Sequence, residues 1–411
     1  MRRRVGRGWR VVVLIGIVLL SAPAVQAQGG TPTAPVTTAP ITIEGVALRQ
    51  VLDAPVPVYL TSTIDDEKAR WMRDAVAIAL DAVPRVTGLP LPQQRLEFYL
   101  FSDPREMASL SGQLLRASGP RVAPECFALA VSGTPRRGIY CQADAWESAA
   151  QALDYVVHEL THQVEQGDGA QRRELAQWFN EGLAEHIQQL VLREHQPSYA
   201  ARDRWLREAR VASALHTDRL PRLRELTSNT RWQQAAANGW GGLLYAHSSL
   251  VVAWLADQYG LDRVIEVVRR TSSPLRFDEV FQEVLGQSVG EAERAARATF
   301  EAELLPRYPK GVTVFESDDP SEKAIHFAVV GFQPREWLSK EYRYVNGAPA
   351  DGVGATGTQP ESERTDLSGF ATWRWTRTSA LPPGLPPRVE LTVRGSEGSL
   401  ATQSATLPPG P

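Results

Sequence analysis

The sequence has few cysteines and no strong excess of charge of either sign. Its 411 residues include two cysteines, and 44 lysines and arginines are balanced by 47 aspartates and glutamates, for a net charge of -3. This balance gives no reason to expect a nucleic acid or an acidic polymer as a partner. Neither cysteine lies at a metal-ligand spacing, which disfavours a cysteine-based metal site or nucleophile.

The sequence also lacks an apolar run long enough to span a membrane. The longest candidate, VVVLIGIVLL at Val11–Leu20, is shorter than the roughly 20 residues that a spanning helix needs. Several arginines precede it, and Val25, Gln26 and Ala27 form a small-residue cleavage site. We therefore expect a signal peptide over 1–27, cleaved after about Ala27, and an exported protein, secreted or attached to the cell envelope. Retention of the segment as an uncleaved anchor is the alternative.

The length favours two or three domains, and the patterns favour the α+β class. A Gly, Thr and Pro-rich linker is expected over 28–40. Strand and helix patterns mix over 41–145, and 146–306 is almost entirely helical in pattern. Period-two strands separated by turns predict a β-sandwich over 312–408.

Cys126 and Cys141 are predicted to form a disulfide. Export places them in an oxidising compartment, where pairing is the default. CFALAVSG and RRGIYCQ are β-prone runs around a turn, so a hairpin would bring the two cysteines opposite each other.

The candidate metal-ligating residues are centred on the motif HELTH, His158 to His162. Two histidines four residues apart on a helix project from one face, close enough to ligate one metal ion. After 18 intervening residues comes Glu181 in QWFNEGLAEH, on a second predicted helix. Two histidines and a glutamate suit a zinc site with an open position for water, and the sequence predicts a Zn²⁺ site of His158, His162 and Glu181.

HELTH followed by NEGLAEH resembles the peptidase MA-like family of gluzincin zinc metallopeptidases, which are related to aminopeptidases and thermolysin. The resemblance covers about 45 to 305 and implies a catalytic domain over 41–306, with a small α/β lobe over 41–145 and a helical lobe over 146–306. It also implies that Glu159 is the general base, that the substrate is a peptide or protein, and that Phe127 to Val131 is an edge strand binding an extended substrate backbone. An ordinary hairpin is the alternative for this strand.

Two further residues receive roles beside the metal. Glu185, one turn after Glu181, can accept the outer ring proton of a ligand histidine, and relatives place an acidic residue at this offset. Tyr245 matches, loosely, an oxyanion-binding tyrosine of the aminopeptidase relatives. The alternatives are a solvated charge for Glu185, a buried structural hydroxyl for Tyr245, and His247 as the oxyanion donor. The arginine-rich stretch from Arg202 to Arg224 is interpreted as a solvated helical face.

The sandwich pattern resembles immunoglobulin-like appendages of secreted bacterial proteins, which leaves cell-envelope or glycan contact as an option. Trp373 and Trp375 lie on one strand face, either in the core or on a carbohydrate platform. The sequence thus predicts an exported zinc metallopeptidase. The alternative is an envelope adhesion or scaffold protein that retains the gluzincin fold and binds through the sandwich.

Overall fold

The computed structural model describes residues 36–43, 46–107, 126–130, 136–167, 175–272, 276–317, 324–344, 352–354, 364–377 and 388–406. The predicted signal peptide and most of the predicted linker lie outside these residues. The first strand begins at Thr38, inside the segment predicted as linker, because Thr38 to Ile43 pair with Val46 to Val51 in a hairpin. The described elements are a mixture of helices and strands, so the α+β class is confirmed.

The N-terminal part contains a six-stranded sheet with the strand order β1-β2-β3-β4-β6-β5. Its strands are β1 (Thr38–Ile43), β2 (Val46–Val51), β3 (Val58–Thr61), β4 (Arg95–Phe101), β5 (Cys126–Ala130) and β6 (Arg136–Gln142). β3, β4 and β6 are parallel, whereas β5 runs antiparallel to β6 and lies at the edge. Parallel strands are covered on both faces, which explains the continuous buried run in β3 and β4.

One helix lies between β3 and β4 in the chain, and the other helices follow the sheet. They are α1 (Asp66–Thr87), α2 (Ala149–Gln166), α3 (Gln177–His195), α4 (Pro197–His216), α5 (Asn229–Ala235), α6 (Gly241–Tyr259), α7 (Leu261–Arg270), α8 (Phe277–Leu285) and α9 (Val289–Arg307). Short 3-10 turns lie at Ala143–Ala145 and Leu223–Glu225, and a π turn at Ala236–Trp240. α1 and α2 pack side by side, α2 contacts β5, and α3 crosses α6. Among the described residues, no helix has the length and apolarity needed to cross a membrane.

The C-terminal strands form two further sheets. One has the order β10-β11-β8-β7 and the other β13-β12-β9. The strands are β7 (Gly311–Phe315), β8 (Ala324–Val330), β9 (Leu338–Tyr344), β10 (Gly352–Gly354), β11 (Ala371–Arg377), β12 (Arg388–Gly395) and β13 (Leu400–Thr406). Side chains from both sheets meet in one apolar cluster that includes Phe327, Trp375 and Leu391. Trp373 and Trp375 are buried, so they belong to the core and form no exposed carbohydrate platform.

The C-terminal sheets pack against α4. The hydroxyl of Ser213 donates to the carbonyl of Ser368 (2.9 Å) and accepts from the backbone N–H of Gly331 (2.8 Å). Arg210 on the same helix lies 3.6 Å from Asp366 and over the ring of Phe370. α4 is therefore covered on this side, and the interpretation of the whole stretch from Arg202 to Arg224 as a solvated face is wrong.

Candidate metal centre

Helix α2 brings the two histidines of HELTH together, and His158 lines a cavity. Ser148 caps the helix by accepting a hydrogen bond from the N–H of Gln151 (3.3 Å), and Gly167, with a φ of 63°, ends it. The apolar positions between these ends are buried at helical spacing. Because the apolar stripe fixes the rotation of α2, His158 and His162 lie one turn apart on its neighbouring face.

Helix α3 delivers Glu181 to the same point. The free N–H groups of its first turn, at Gln177 and Trp178, donate to the carbonyls of Thr227 and Leu226 (2.9 and 3.2 Å). Gly182 allows α3 to approach α6, since a Cβ at this position would lie 2.6 Å from the carbonyl oxygen of Ser248. The glycine beside Glu181 is thus needed for close helix packing.

The three predicted ligands form one buried cluster. The Nε2 atoms of His158 and His162 are 3.1 Å apart, and Oε2 of Glu181 lies 3.3 and 3.4 Å from them. All three residues are less than 10% exposed, and their ligand atoms lie within 4.8 Å of one another. Two imidazoles and a carboxylate that converge in this way could hold a metal ion.

The outer ring nitrogen of each histidine has its own partners. Nδ1 of His158 lies 3.3 Å from Oε1 of Glu185, at the position predicted for it, and 3.2 Å from Oε1 of Gln188. Nδ1 of His162 lies 3.2 Å from the Asn180 amide and 3.4 Å from Oε2 of Glu165. Partners at Nδ1 orient the rings and leave Nε2 to face the cluster.

A buried ionic network supports Glu185. Arg207 of α4 donates to the Glu185 carboxylate and, through Nε, to Oδ2 of Asp203 at 2.6 Å. Asp154 accepts from the Gln188 amide and from the hydroxyl of Tyr199 (3.0 Å). Burial, together with the charge of Asp203, raises the pKa of Asp154 to about 7.

The electrostatics of the cluster favour positive charge at its centre. Burial alone would lower the pKa of His162, but Glu181 and Glu165 raise it to about 10. The pKa of His158 is also well above its usual value, because Glu181 and Glu185 outweigh burial. Burial opposes ionisation of Glu185, yet Arg207 and His158 lower its pKa to about 2. A cation entering the cluster would therefore displace protons.

A cavity of about 430 Å³ opens beside the cluster. Glu159, Tyr245 and Cys126 lie on its wall with His158. Burial raises the pKa of Glu159 in spite of the two histidines, and its carboxylate accepts a hydrogen bond from the backbone of Ala128 in β5. The ring of Tyr245 lies 6.2 Å from that of His158. Edge strand, predicted base and predicted oxyanion donor thus share one cavity.

The structure also gives the positions of His247, of the two cysteines and of the predicted edge strand. His247, two residues after Tyr245, is buried and lines a different cavity, so it is not placed for the oxyanion role. Cys126 and Cys141 form the predicted disulfide, and they are directly opposite each other in the pairing of β5 with β6. The edge position of β5 also fits the predicted strand, although Val131 lies outside the described residues.

Sequence reasoning missed four side chains of this centre: Glu165, Asn180, Gln188 and Arg207. Local signals existed for two of them. Glu165 lies three residues after His162, and Asp203 and Arg207 are four residues apart on one helix face.

No known protein-family model matches the chain, and no curated protein is significantly similar to it.

Proposed function

We propose that this protein is an exported, zinc-dependent metallopeptidase of the gluzincin type. The observation that carries the proposal is the convergence of His158, His162 and Glu181, with ligand atoms within 4.8 Å of one another and with buried Glu159 beside them. A motif match on one helix can arise by chance. The placement of Glu181 by a second helix at the same point makes chance a poor explanation.

The donor set fits zinc. Catalytic zinc sites commonly use two histidines and one glutamate and leave a fourth position open. In this chain Nδ1 of His158 faces the Glu185 carboxylate and Nδ1 of His162 faces the Glu165 carboxylate, so both Nε2 atoms are free to face the metal. When bound, zinc supplies Lewis acidity and lowers the pKa of its water to about 7.

The side chains of the cavity then have distinct tasks. Glu159 accepts a proton from the attacking water, and its burial, which raises its pKa, suits a base that works near neutral pH. It later donates this proton to the leaving amine. Tyr245, whose pKa burial holds well above its usual value, keeps its proton and donates a hydrogen bond to the oxyanion.

The position of β5 favours a peptide as the substrate. β5 is an edge strand of the six-stranded sheet, and the backbone of Ala128 reaches Glu159. An extended peptide that pairs with such an edge gains main-chain hydrogen bonds while its scissile carbonyl lies at the cluster. The same edge would give little help in binding a non-peptide amide.

The C-terminal sheets support an immunoglobulin-like assignment. With the strands lettered in chain order from β7 to β13, the sheets become ABED and CFG, the order of the constant-type immunoglobulin sandwich. Contact of this domain with the cell envelope or a glycan would need a surface other than Trp373 and Trp375. The complete ligand set and base favour the peptidase over the scaffold alternative.

The test is zinc analysis of the purified chain together with a mixed-peptide cleavage assay. We expect about one zinc per chain in the wild type. Glu159→Gln should keep the zinc and lose hydrolysis, because it lacks the base. His162→Ala should lose the zinc itself. Glu147→Gln, an exposed carboxylate just before α2, is the matched control and should keep both. An active Glu159→Gln variant would overturn the mechanism.

A further inference from the structure

A second cavity, of about 230 Å³, lies on another face of α6 from Tyr245. Its lining is strongly basic. Four arginines surround it, with Glu293 as the single acidic residue of the lining and His247 as the single histidine; the arginines are Arg222, Arg224, Arg294 and Arg297. Such a concentration of guanidinium groups raises the local concentration of anions.

Two of these arginines are not held by a close ion pair, although Arg224 lies near Glu293 and Arg294 near Glu291. Arg297 is paired with Asp218 (2.9 Å) and Glu301 (2.8 Å), and Arg222 lies 3.7 Å from Glu225. Within the part of the chain that the structure describes, Arg224 and Arg294 have no ion pair. Their forks of N–H donors match the oxygens of a phosphate or carboxylate.

His247 is a second, independent sign of a ligand. It is 1% exposed, and neither of its ring nitrogens has a hydrogen-bond partner among the described residues. Burial and the nearby charge of Arg297 lower its pKa to about 3, so its ring is neutral and offers one donor. A buried polar group without a partner is costly, and a bound ligand is one way to satisfy it.

The first turn of α9 lies beside the cavity, and its capping box with Ser288 places the carboxylate of Glu291 in this turn. Gly290 lies in this turn and lines the cavity, with no side chain over its backbone. The N–H groups of a first turn and the helix dipole both favour an anion. The acidic side chain of Glu293 is partly engaged, since its Oε1 accepts from the backbone N–H of Leu223 at 2.7 Å.

We propose that this cavity is a binding site for a small phosphate-type oxyanion, held by Arg224 and Arg294 with His247 at the floor. The volume lies below the roughly 300 to 1,000 Å³ of pockets for drug-sized ligands, so the ligand is an ion or a small phosphomonoester. The site is separate from the metal centre and does not depend on peptidase activity.

The test is calorimetric titration of the full zinc-loaded chain with inorganic phosphate and, separately, with glycerol phosphate. Arg224→Gln/Arg294→Gln should weaken phosphate binding by about a hundredfold, roughly tenfold for each lost charged hydrogen-bonding group. The control is Arg276→Gln/Arg374→Gln, which removes the same charge from exposed positions outside the cavity and should leave binding unchanged. Tighter binding of glycerol phosphate than of phosphate would identify a phosphomonoester as the ligand, and the reverse a free ion.

His247→Phe keeps an aromatic ring at this position and removes both unpartnered nitrogens. It should raise the unfolding temperature and weaken phosphate binding. Because phosphate can also bind zinc, equal affinity in the wild type and the Arg224→Gln/Arg294→Gln variant would assign the signal to the metal and overturn the proposal. Absence of binding by the folded wild type would also overturn it.

Discussion

Glu185 connects the metal cluster to a buried arginine, and its replacement by glutamine tests both connections. In Glu185→Gln the side-chain carbonyl can still accept a hydrogen bond from Nδ1 of His158, but the side chain lacks the negative charge that pairs with Arg207. Mutation of such an outer partner typically weakens metal binding by about 10- to 100-fold, and because the hydrogen bond to Nδ1 of His158 can be kept, a loss of about tenfold is expected. We expect this loss of zinc affinity, measured by competition with a chelator.

The variant should also be less stable without metal. Removing one partner of a buried ion pair costs about 3 to 5 kcal/mol, and Asp203, at 2.6 Å from Arg207, keeps the cost near the lower end. Urea unfolding of the metal-free protein measures this value. Arg207→Gln should lower the stability of the metal-free protein further, because it removes the guanidinium that lies among the carboxylates of Glu185, Asp203 and Asp154. In the double variant the two effects should be less than additive.

Glu194→Gln is the control for this series. Glu194 lies on the same helix, pairs with Arg85 at 2.9 Å and is half exposed, so water screens the pair. We expect no measurable change in zinc affinity or in stability. If Glu185→Gln behaves like Glu194→Gln in both assays, Glu185 neither orients His158 nor neutralises Arg207, and the reasoning about the network fails.

Three further outcomes are expected. Cys126→Ser/Cys141→Ser should lower the free energy of unfolding by about 3 kcal/mol, because the disulfide closes a loop of 15 residues; equal urea midpoints would contradict this. The pKa of His162 is about 10 in the folded protein and about 6.5 in the unfolded chain, so protonated His162 contributes fully to the free energy of unfolding of the metal-free protein below about pH 6.5. This contribution is lost as the pH rises through 10. Urea unfolding across this pH range measures the loss, and His162→Gln should lack it. Tyr245→Phe should lower kcat by about a hundredfold with little change in zinc content, and an unchanged kcat would remove Tyr245 from the oxyanion role.

The parts predicted best from the sequence are those fixed by local spacing. Cys126 and Cys141 are opposite each other in the predicted hairpin, and HELTH and Glu181 lie on the two predicted helices. The candidate ligands could be predicted because HELTH needs only one helix turn to bring His158 and His162 together. Helical periodicity of the next segment then sufficed to place Glu181.

The parts that could not be predicted depend on distant packing. Arg207 is 22 residues from Glu185 and meets it only because α4 packs beside α3. In the sequence it is one of several arginines in an alternating stretch, which is equally typical of a solvated face. The docking of the C-terminal sheets on Ser213 and Arg210 covers that stretch, and no local pattern encodes this contact.

The charge balance of the metal centre explains why these distant contacts matter. Within a short distance of the cluster lie five buried carboxyl groups and one buried guanidinium, that of Arg207; the carboxyl groups are Asp154, Glu159, Glu165, Glu181 and Glu185. Burial raises the pKa of Glu159 and of Glu165, although both lie beside the imidazoles of His158 and His162. A divalent cation held by His158, His162 and Glu181 would replace the protons of the two imidazoles, so the positive charge at the centre of the cluster is supplied either by these protons or by the metal. In both cases that charge favours the ionised form of Glu159, the form that can accept a proton, whereas burial alone disfavours it.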